Sequence, residues 1–87
     1  MATLDELKLR LEEEKRLLEA EEERNFSLTK KIDLLKEERS EMGKTSTEYK
    51  TATEDLAKLR EEQEQVTAAI KKQTAALDAQ NKAYDEN

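Results

Sequence analysis

Apolar residues recur at alternating three- and four-residue intervals through an 87-residue chain that has one glycine and no proline. This spacing returns a side chain to the same face of an α-helix, whereas a strand would need a period of two. No proline interrupts the pattern. The chain is therefore confined to long amphipathic helices that bury a stripe and not a centre.

With Leu4 at heptad position a, the a series runs Leu4, Leu11, Leu18, Asn25, Ile32 and Arg39, and the d series Leu7, Glu14, Glu21, Leu28, Leu35, Met42 and Tyr49. The second half needs another frame, with Leu56, Gln63, Ile70, Leu77 and Tyr84 at a and Leu59, Val66, Gln73 and Gln80 at d. In one continuous helix this phase change equals a three-residue insertion, which overwinds a coiled coil locally. It coincides with residues 40–48, the stretch of lowest helix propensity and the place of Gly43. Gly43 is expected as a C′ residue closing one helix, with Thr45 and Glu48 as a capping box opening the next.

The segments are thus 1–42, a first coiled-coil segment; 43–55, a phase break or turn; and 56–87, a second coiled-coil segment. The fold expected is all-α, a coiled coil of long amphipathic helix. Its leading form is a parallel two-stranded rod with an irregularity near Gly43, about 130 Å long if continuous. The alternative is an antiparallel helical hairpin turning at residues 42–47. A hairpin would pair residues whose numbers sum to about 84, setting Leu7 by Leu77, Leu18 by Val66 and Leu28 by Leu56. It would bring Arg24 towards Glu62 and Lys31 towards Asp55, whereas a parallel dimer sets Arg10 near Lys15 and Lys31 near Lys36. The charge pattern favours the hairpin mildly, since exposed ion pairs contribute only about 0.2–1 kcal/mol each.

Charge bounds the partners. With 44% charged and 34% hydrophobic residues, the chain is too polar for a globular core of ordinary thickness. A formal charge of −6 disfavours nucleic acid and anionic membrane, which attract clustered Lys and Arg. The expected partners are a second copy, as a homodimer, or another coiled-coil protein. Apolar runs of two or three residues are too short to span a bilayer or form a signal peptide.

No chemistry-bearing constellation emerges. Without Cys or His the chain lacks thiolate and imidazole ligands and the commonest general base, so no catalytic, cofactor-binding or metal-binding residue is assigned, and no cofactor is expected. Gly43-Lys44-Thr45 matches the tail of a phosphate-binding loop, but Glu38 occupies the place of its first glycine and no strand pattern precedes it. Asn25-Phe26-Ser27 fits an N-glycosylation pattern, yet Asn25 at an a position reads better as a polar register device. Glu12-Glu13-Glu14, Glu21-Glu22-Glu23 and Glu61-Glu62 point successive carboxylates about 100° apart and form a solvated face. Glu14 and Glu21 nevertheless sit in the seam and mark a soft stretch. Leu9, Phe26 and Leu34 fall outside the stripe, and Phe26 is the candidate partner contact because a single large aromatic can anchor a polar interface.

Leu18-Glu19-Ala20-Glu21-Glu22-Glu23-Arg24-Asn25, with Leu28-Thr29-Lys30-Lys31, Leu35, Ser40-Glu41 and Leu56-Ala57-Lys58-Leu59, resembles the coiled-coil tail rod of conventional, filament-forming myosin heavy chains. The likeness spans roughly residues 18–59, with weaker echoes towards Ala76-Leu77-Asp78. It implies a parallel two-stranded rod that links motor heads to a filament and has no catalytic residues; it transfers no site residue. The Ser/Thr-rich break and the phase change depart from that regular pattern.

The function expected is a structural, non-enzymatic rod segment for dimerisation and spacing in a cytoskeletal or motor assembly, in the cytoplasm. The alternative is a helical-hairpin protein-binding or adaptor module.

Overall fold

A computed structural model describes residues 3–86. Two helices account for most of them: α1, Leu4–Ser40, and α2, Thr47–Glu86. The first is 37 residues long and the second 40, and they pack side by side in opposite directions. The chain measures 62 × 14 × 13 Å, close to the roughly 60 Å of a single 40-residue helix. The form taken is therefore the hairpin alternative, and the continuous helix of about 130 Å is not formed.

The change of heptad phase has a simple origin. The two frames belong to two separate helices, so no overwound stammer joins them. Tyr49, placed at d in the first frame, lies in α2, where it is equally the a residue one heptad before Leu56. Residues 47–55, read as part of the break, are helical. The seam that a second parallel chain would fill is occupied by the chain's own other half.

Each helix begins on a hydroxyl cap. Thr3 Oγ1 accepts from the Glu6 amide at 3.2 Å, and Asp5 and Glu6 place negative charge at the positive end of α1. Ser46 caps α2: its Oγ accepts from the Tyr49 amide at 3.1 Å and donates to the Gly43 carbonyl at 2.6 Å. The cap is one residue later than the Thr45–Glu48 box, because Ser46 also closes the turn through its own amide, which donates to Gly43 O at 2.9 Å.

The fold-back runs through residues 41–46 without a left-handed residue. Glu41 takes an ordinary right-handed conformation as the C-cap of α1, and the Glu41 and Met42 amides donate to Glu38 O and Arg39 O. Gly43 does not have positive φ, so it is not the left-handed C′ residue expected of it. A Cβ added there would meet nothing within 4 Å. Gly43→Ala is accordingly expected to keep the fold and to raise stability by about 0.4–1 kcal/mol by restricting the unfolded chain. Ser46→Ala should cost about 1 kcal/mol through loss of the cap. Thermal denaturation followed by circular dichroism measures both.

Candidate functional site

Burial follows the two heptad frames closely. Leu7, Leu28, Ile32, Ala52, Leu56 and Val66 are buried, with Leu56 at 1% and Val66 at 2% exposure. Leu11, Leu18, Asn25, Leu35, Met42, Tyr49, Leu59, Ile70, Leu77 and Tyr84 are half-buried. Leu4 is the exception at 49% exposure, because it opens α1 where α2 is about to end. Ala52 joins the seam at d, one heptad before Leu59, where a small alanine gives little apolar signal in the sequence.

Specific side-chain contacts set the register. The Arg24 guanidinium meets Glu62 at 3.0 Å, as the hairpin alternative anticipated. Both side chains are about half exposed, so the pair contributes about 0.2–1 kcal/mol. Gln63 Nε2 donates to Asn25 Oδ1 at 3.3 Å and to Thr29 Oγ1 at 2.8 Å, which makes Asn25 part of a cross-helix polar layer. These three contacts join residues whose numbers sum to 86, 88 and 92, at and somewhat above the pairing of about 84. The fold-back through residues 41–46 is centred just beyond residue 42, in keeping with these sums. Nearer the turn, Arg39 donates to Thr53 Oγ1 at 3.2 Å and lies 5.3 Å from the centre of the Tyr49 ring.

The two ends of the hairpin differ. Towards the turn the seam is mainly aliphatic, with Leu28, Ile32, Leu35, Ala52, Leu56 and Leu59. Towards the helix ends it includes Glu14, Glu21, Gln73 and Gln80, each half-buried with one side-chain oxygen shielded from solvent and lacking a hydrogen-bond partner. The remaining residues of the acidic runs are mostly exposed, and among the described residues no group of three acidic side chains gathers as a cation site would require.

Three apolar side chains singled out beside the seam stay open. Leu9 is 66% exposed, Phe26 62% and Leu34 58%. Phe26 lies beside Glu19, Glu22 and Glu23, with the Lys30 ammonium 4.5 Å from its ring centre. Such a cation covers one face of the ring and makes it a weaker anchor than its exposure suggests. Leu34 has a different setting. It borders an open, largely apolar groove between the helices, with Leu35 and Leu59 at its base and Lys31, Glu38, Asp55 and Lys58 around it. The apolar base continues towards the turn through Ala52 and Met42. Lys31 and Asp55 share this groove, as the hairpin alternative anticipated, and flank Leu34, which sequence spacing alone left as an isolated apolar residue.

Comparisons with protein-family models, with curated proteins and with solved structures find no match to this chain. No helix among the described residues is long and apolar enough to cross a membrane.

Proposed function

We propose that this chain is a non-catalytic helical-hairpin interaction module, a slender arm that binds protein partners through its flanks. One observation carries the reading: the apolar seam is consumed within a single chain. A parallel rod would join two chains through that seam, whereas the hairpin leaves only its sides and tip for association. The groove beside Leu34 is an open, largely apolar part of those sides. The role is connective, in keeping with a surface of interspersed charge that supports solubility and partner choice over chemistry.

Spin labels on cysteines introduced at exposed Glu12 and Lys82 test the geometry on which this rests. A chain without native Cys takes such labels cleanly. Dilution with excess unlabelled chain isolates the distance within one molecule. Adjacent antiparallel helices should give roughly 10–20 Å, given interaxial separations near 10 Å. A distance of about 105 Å would mean a continuous helix; the chain would then act as a spacer and dimerisation rod, and the module reading would fall.

A further inference from the structure

We infer that the Leu34 groove is the docking surface for a second copy of this chain, with two hairpins pairing tip to tip in opposite directions about a two-fold axis. The inference rests on the hairpin module reading and names its partner. Its basis is the order of charge along the groove. On each helix the carboxylate lies nearer the turn than the lysine: Glu38 before Lys31 on α1, and Asp55 before Lys58 on α2. Leu34 and Leu35 lie between Glu38 and Lys31 on α1, and Leu59 follows Lys58 on α2.

A two-fold axis through Leu34 reverses that order in the partner. The lysine side of one groove then faces the acidic side of the other, twice over, while Leu34 of each copy covers the apolar base of its mate. A parallel approach would set lysine against lysine and carboxylate against carboxylate, so the charges select one orientation. Self-complementarity of this kind is what a symmetric dimer requires, because one patch must serve as both halves of the interface. It also accounts for an exposed leucine beside an apolar groove on a hairpin whose own seam is closed.

The location of the patch sets the shape of the assembly. Leu34 lies about two turns of helix from the end of α1, so the copies overlap only near their tips. The dimer is then a four-helix junction with an arm leaving on each side, on the order of 100 Å overall.

Sedimentation equilibrium of the intact chain over a concentration series should show reversible doubling of mass. Two charge-swapped variants give the sharper test: Lys31→Glu with Lys58→Glu, and Glu38→Lys with Asp55→Lys. All four side chains are exposed, and circular dichroism should report unchanged helicity. Each variant alone is expected to remain monomeric at concentrations where the unaltered chain is dimeric, while an equimolar mixture recovers the doubled mass. Monomer at every concentration for the unaltered chain, dimers of either variant alone as strong as those of the unaltered chain, or a mixture that stays monomeric would overturn the proposal. Label distances within the monomeric variants separate the two failures. A short distance retains the hairpin without the dimer, and a long one removes the hairpin itself.

Discussion

Replacing Leu56 by aspartate should abolish the folded hairpin. Leu56 is 1% exposed, the most completely enclosed of the buried side chains, and it lies on the aliphatic half of the seam. Truncation to alanine already removes the packing of a full leucine, at a cost of about 2–5 kcal/mol. Aspartate adds the desolvation of a charge that has no cationic partner in the seam, which raises the cost further. Domains of this size are stable by only about 5–15 kcal/mol. Helical signal near 222 nm should therefore fall at ordinary temperature for Leu56→Asp, and the melting temperature should drop sharply for Leu56→Ala. Lys58→Ala, two residues away and exposed, should leave the transition nearly unchanged. Helicity retained in Leu56→Asp would show that the helices do not depend on packing against each other.

The opposite change is expected at the other end. Glu14→Leu combined with Glu21→Leu should raise stability by about 1–3 kcal/mol per site, since each substitution removes a shielded oxygen without a partner and adds apolar surface to the seam. Urea denaturation should show a higher midpoint, and hydrogen exchange should slow most in the outer halves of both helices. The same two substitutions in a continuous parallel dimer would relieve charge repulsion between chains and make stability depend on concentration. A gain independent of concentration, measured where the chain is monomeric, identifies the effect as intramolecular. An unchanged midpoint would mean that these carboxylates reach water in solution.

Much of this architecture is legible in the apolar spacing alone. The a and d positions of two frames place Leu7, Leu28, Ile32, Leu56 and Val66, all buried. The shift between frames also marks where the chain reverses, since separate helices have no need to share a phase. The direction of packing was harder to read. A leucine stripe is equally suited to a copy of itself and to another part of the same chain, and the flanking charges discriminate by too little energy to decide. The finer register follows from where the turn is centred, which the apolar spacing does not fix. Ser46 and Thr45 are chemically similar neighbours, and only the backbone path through Gly43 favours the serine. The groove was illegible for a related reason. Leu34 and Lys58 belong to different heptad frames, and nothing in either frame says that they line one hollow until the helices are laid together.

A cross-section of 14 × 13 Å has a consequence for how such a chain changes over generations. Two helices side by side enclose almost nothing, so selection for folding acts on about one position in three or four. At the others, polar residues with good helix propensity can replace one another at a cost within about 0.5 kcal/mol. Lineages that share this hairpin can therefore drift apart in most of their letters while the spacing of the seam persists. Kinship among them is better sought in the rhythm of buried positions than in residue identity.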